Sequence, residues 1–125
     1  MCVTCGDLKG TYMSNSADLS DAVQWLYVTV GSTEEAETIA RTLVSERLVA
    51  CANILGPMRS FYWWNDAVQN DAEIAVVLKT RRALLETATQ RIQALHSYDC
   101  PCIVALDIQG GNADFIKWII NETQQ

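Results

Sequence analysis

Histidine is nearly absent from this chain: His96 is the single one in 125 residues. Imidazole chemistry therefore has one address in the chain. Basic residues are few as well. Nine Lys and Arg against fifteen Asp and Glu leave a net charge of −6, which excludes a surface built for nucleic acid or for docking on anionic lipid. No apolar run exceeds five residues, as in Ile74 to Leu78, against the roughly 20 needed to span a bilayer. Residues 1–21 lack the basic leader and continuous apolar stretch of a secretory signal. A phosphate-cradling glycine loop, a nucleophile elbow and a metalloprotease helix are all missing. Nothing supplies the third group that would orient a Cys–His nucleophile pair, so the chain is expected not to be an enzyme. Cysteine is the exception to this poverty. Cys2, Cys5, Cys51, Cys100 and Cys102 make an odd set of five, which predicts thiols in a reducing compartment, the cytoplasm.

Half of the residues are apolar, enough for one domain with one core. Residues 1–21, rich in Ser, Asp, Gly and Thr without periodicity, are expected to form a flexible tail ahead of a domain over 22–125. Trp25 to Val30 is a β-branched and aromatic run closed by Gly31, a buried strand. Ser32 and Glu35 form a capping box, and Ala36, Ile39, Ala40, Leu43 and Val44 recur at helical spacing up to about Arg47. Val49 to Trp64 and Val68 to Thr80 flank the turn signal Asn65-Asp66, predicting a long hairpin. Arg81 to Ser97 reads as a second amphipathic helix and Cys102 to Ile108 as a fourth strand. After Gly110-Gly111, Asn112 caps a helix over Ala113 to Asn121 with Phe115, Trp118 and Ile119 inward. The order β-α-β-β-α-β plus a terminal helix predicts an α+β, ferredoxin-like domain, its antiparallel sheet carrying both long helices on one face.

Several motifs in this frame resemble the CutA family of divalent-cation-tolerance proteins. They are Ala50-Cys-Ala-Asn-Ile54, Ser60-Phe-Tyr-Trp-Trp64, Glu73, Leu78-Lys-Thr80, His96-x-Tyr98-Asp99-x-Pro101-x-Ile103 and Phe115-x-x-Trp118. The likeness runs from Trp25 to the C-terminus. It implies a ferredoxin-like homotrimer associated with tolerance and response to divalent metal ions, copper above all, and a kinship of shape to PII signalling proteins. It implies no catalytic reaction. Some members present a cysteine near the end of the first strand and a second histidine beside the first; here those positions hold Val30 and Leu95. Of that copper site only His96 is carried over.

Candidate metal ligands are His96, Cys100 and Cys102. Imidazole suits copper or zinc, and thiolates select Cu(I) or zinc. In an extended segment, residues two apart face one side, so the two sulfurs can approach one ion. The alternative for His96 is a cap in the last helical turn, favoured by the helix dipole; for the cysteines it is plain burial. Cys2-x-x-Cys5 has metal or redox spacing but, with no second pair, reads as incidental, and Cys51 between two alanines reads as core. Lys79 follows a buried run and must reach the surface or meet an acid, with Glu73 and Asp99 the candidates by type. Lys79, Tyr98 and Trp64 together outline a cleft for an anionic ligand, which is the PII-like alternative: a trimeric signalling protein binding a small anionic metabolite.

The hairpin predicts self-association without help from the resemblance. Val49 to Trp64 spans about 50 Å if straight, whereas a globule of this size has a radius of gyration of about 14 Å. Its far half carries Phe61, Tyr62, Trp63 and Trp64, an apolar edge that calls for a second copy.

Overall fold

The computed structural model describes residues 21–125. The expected tail, with the Cys2 and Cys5 pair, lies outside the described residues apart from Asp21. The elements are β1 (Val23–Val30), α1 (Thr33–Ser45), β2 (Cys51–Trp64), β3 (Ala67–Arg81), a 3₁₀ turn (Arg82–Leu84), α2 (Leu85–Leu95), β4 (Ile103–Asp107) and α3 (Ala113–Glu122). The strands form one sheet in the order β2-β3-β1-β4, antiparallel throughout. With α1 and α2 packed on one face, this is the expected ferredoxin-like arrangement.

Two periodicities meet in the core. Alternate residues Leu26, Val28 and Val30 of β1, joined by Val76 and Leu78 of β3, point at Ala36, Ile39 and Leu43 of α1 and at Ala88 and Ile92 of α2. None of these is more than 1% exposed. The intervening residues of β1, Trp25 and Tyr27, stand on the other face, where they are in register with Leu106 and Val104 of β4. Helix α3 covers one end of that face through Ile119, buried against Val23 and Ala50. The rest is bare in the single chain, with Val104 and Leu106 more than half exposed.

Asn65 and Asp66 both take positive φ (55° and 60°). That is the two-residue turn whose twist matches its strands, and Asn and Asp tolerate it. The β2–β3 register slips between Leu55 and Met58, around Gly56-Pro57. Strand β3 leaves β1 at Ile74, so Met58–Trp64 and Ala67–Glu73 continue as a two-stranded arm. Phe61, Trp63, Trp64 and Val68 on it are 50 to 73% exposed.

Three expectations need correction. The helix expected over Arg81 to Ser97 is shorter at both ends. Arg81 remains in β3 opposite Val23, because its buried guanidinium is held by Asp21, Thr123 and the Gln124 carbonyl. His96 is the extended cap after α2 rather than part of its last turn. In α3, Phe115 and Trp118 are not inward: they stack on each other at 5.4 Å and are both over 40% exposed. Ile119 is buried as expected, and the stripe around it is Ile116, Ile120 and Thr123, an i, i+3, i+4, i+7 set. Finally, only half of the capping box forms. Ser32 accepts from the Glu35 amide (3.2 Å), but the Glu35 carboxylate accepts from the Ser97 amide (2.8 Å) and hydroxyl (3.0 Å) instead.

Candidate functional site

A cavity of about 570 Å³ opens where the arm meets the end of β1 and the loop before β4. Strand β2 lines it with the alternate residues Ser60, Tyr62 and Trp64, and β3 with Asp71 and Glu73. The strand period of two dictates that set, since Ser60 is in register with Asp71 and Met58 with Glu73. Thr29 closes one end, and the loop adds Tyr98, Asp99, Cys100 and Cys102. The charged lining residues are all acidic.

Two tyrosines tie the acids to the wall. Tyr98 donates its hydroxyl to Glu73 (3.0 Å), and Tyr62 donates to Asp71. Burial, and then the bond to Glu73, pushes the Tyr98 hydroxyl up to about 12. The Tyr62 hydroxyl is also raised, chiefly by its bond to Asp71. Both therefore stay neutral and donating near pH 7. Gly31 makes room for this ring: a Cβ there would stand 3.2 Å from the Tyr98 hydroxyl oxygen.

His96 sits behind the loop rather than on the cavity wall, its side chain fully buried. Its Nε2–H donates to the Thr29 carbonyl (2.7 Å), and Nδ1 accepts from the Tyr98 amide (3.1 Å). The Glu35 carboxylate lies 3.3 Å from Nδ1. A carbonyl only accepts, which places a proton on Nε2, and both ring nitrogens are then occupied. The expected His96–Cys100–Cys102 cluster is accordingly not assembled in one chain. Among the described residues, no three His, Cys, Asp or Glu side chains group closely enough to hold a metal ion. Donors of suitable chemistry do line the cavity, with free thiols on Cys100 and Cys102.

Lys79 is elsewhere. Its Nζ donates to Asn53 (2.7 Å), on the face of the sheet shared with Trp25 and Cys51. Glu73 is six residues away along the same strand, about 20 Å. The cleft expected from Lys79, Tyr98, Trp64, Glu73 and Asp99 thus keeps four members and loses its only cation. Tyr62, Asp71, Ser60 and Thr29 were not anticipated. The first three were within reach of the sequence, because the Asn65-Asp66 turn fixes the register and period two then selects 60, 62, 64, 71 and 73.

A sequence profile described as CutA1 divalent ion tolerance protein matches residues 24–122. The chain belongs to this family. The divalent-cation tolerance protein CutA of Pyrococcus horikoshii is 44% identical over 100 residues, 80% of this chain and 97% of that protein. The rice protein CutA 1, chloroplastic, is 42% identical over the same length, but there the match spans only 56% of the relative. Among solved structures, rice CutA1 superposes with a TM-score of 0.82 at 39% identity, covering 86% of this chain and 99% of that one. CutA1 of Thermus thermophilus does so with a TM-score of 0.80 at 39% identity, covering 82% and 99%. The family is described by divalent-ion tolerance and not by a reaction. Among the described residues, no helix is long and apolar enough to cross a membrane.

Proposed function

We propose that this chain acts as a homotrimeric divalent-cation tolerance protein that takes up copper or a similar ion, and that it binds rather than catalyses. One observation carries the reading: a cavity whose charged lining is wholly acidic also presents the free thiols of Cys100 and Cys102. Acid lining attracts cations, and thiolates prefer Cu(I). His96 enters as the residue that positions the Tyr98–Cys102 loop, through its bonds to Thr29 and Tyr98. The arm supports the assembly, because its exposed rings and unpaired backbone edges are satisfied by a neighbouring copy; the number three follows the family resemblance. A small anion is disfavoured by the same lining, since Lys79 lies six residues along β3 from Glu73, outside the cavity. The cytoplasm is the compartment that suits the free thiols, although two plant relatives carry chloroplastic names.

Titration with Cu(I) and Cu(II) tests the metal reading. Replacing Cys100 and Cys102 by serine should lower Cu(I) affinity at least tenfold and affect Cu(II) less. An unchanged Cu(I) isotherm removes the thiols from the site.

A further inference from the structure

Glu73 is only 9% exposed, yet no basic side chain is within ion-pair distance of it among the described residues. The hydroxyl of Tyr98 reaches Oε2, while Oε1 has no hydrogen-bond partner among the described residues. A buried carboxylate without a counter-charge is costly, and this one lines a cavity shared with Asp71 and Asp99. A cation entering the cavity would supply the compensating charge.

The rest of the wall decides what kind of cation that is. Three rings, Tyr62, Trp64 and Tyr98, line the same space. The hydroxyls of both tyrosines are already committed to Asp71 and Glu73, so what they offer a ligand is aromatic surface. A volume of about 570 Å³ is that of a small-molecule site, and no three ligating side chains converge in it. Aromatic rings beside carboxylates, with no convergent donor set, suit a cation that keeps a hydrocarbon shell. We propose that this cavity is a binding site for an organic ammonium ion, its charged head against Glu73 and its alkyl part among Tyr62, Trp64 and Tyr98. The proposal concerns the same cavity as copper uptake but rests on Glu73 and the three rings, so the cysteine variants keep the two readings apart.

The test is calorimetric titration of the full chain with butylammonium and tetramethylammonium chloride in the presence of EDTA, with 1-butanol as the neutral analogue of the former. Saturable binding of one or both cations is expected, at least tenfold tighter than the alcohol. Glu73→Gln should weaken it tenfold or more, about 1.4 kcal/mol. The serine variants of Cys100 and Cys102 should retain it. Trp64→Ala, in a sample whose oligomeric state matches the parent by light scattering, should also weaken it. Equal affinity for the alcohol, no saturable binding of either cation, or full affinity in Trp64→Ala or in a folded Glu73→Gln would each overturn the proposal. The second result is also the one expected if a basic side chain of a neighbouring copy already neutralises Glu73.

Discussion

Replacing His96 with alanine separates a structural histidine from a ligating one. The ring makes two hydrogen bonds, from Nε2 to the Thr29 carbonyl at 2.7 Å and from the Tyr98 amide to Nδ1 at 3.1 Å. Alanine leaves two backbone groups without partners next to a void. Thr29 is only 8% exposed, so its carbonyl bears most of the desolvation penalty, about 1–3 kcal/mol. The Tyr98 amide is more accessible to water and recovers part of its bond. Losing the ring's packing, including the Tyr98 ring at 4.7 Å, adds to this, and a total of about 2–4 kcal/mol is expected. Chemical denaturation at matched protomer concentration reads this directly, the matching being needed because association contributes to apparent stability. Glutamine at the same position can still donate to Thr29 and should recover part of the loss. Cu(I) affinity of the folded His96→Ala protein should fall less than in the double serine variant. A variant within 0.5 kcal/mol of the parent that nevertheless loses copper binding would refute the reasoning and restore His96 as a ligand.

Tyrosinate absorbance should show one late step near pH 12 that Tyr98→Phe removes. Because the folded value is raised above the unfolded one, the stabilisation is complete below about pH 10 and is lost as pH rises through 12. Ile119→Ala should cost about 2–5 kcal/mol and make the C-terminal helix an early site of limited proteolysis, whereas Phe115→Ala, on the exposed stack, should do neither; equal effects would mean the buried stripe is misassigned. Deleting residues 1–20, which spares Asp21 and its bond to Arg81, should leave melting and assembly unchanged, and a clear drop in melting temperature would count against the tail. Light scattering should give close to three times the 13.9 kDa chain mass; a soluble folded monomer would contradict the argument from the arm.

What the residues disclosed beforehand depended on the range of the interactions involved. Strand and helix order, the Ser32 and Asn112 caps and the Asn65-Asp66 turn are set within a few residues, and all are present. The end of α2 was misplaced because Arg81 and His96 answer to distant groups, Thr123 for one and Thr29 for the other. The inward face of α3 was misread for a related reason. Aromatic size suggested Phe115 and Trp118, but a helix rotation is set by what it docks on, here Val23 and Ala50. In the cavity, Trp64, Glu73, Tyr98, Asp99 and the two cysteines were legible by type. Lys79 was misassigned by chemical type alone, although six residues along one strand already place it about 20 Å from Glu73.

The position of β1 has a consequence for synthesis. It is made before the other strands described, yet in the sheet it lies between β3 and β4, and Gln24 to Val28 pair with Ile103 to Asp107. The hairpin can zip from its turn as soon as it emerges, and β3 can then cover one side of β1. The other side waits for a segment some eighty residues downstream, since Gln24 and Asp107 are 83 apart. A nascent or truncated chain ending before Ile103 therefore presents the bare edge of a central strand, the kind of edge that recruits other chains. Premature termination in this molecule should yield insoluble product, where loss of α3 alone yields a weakened but closed sheet.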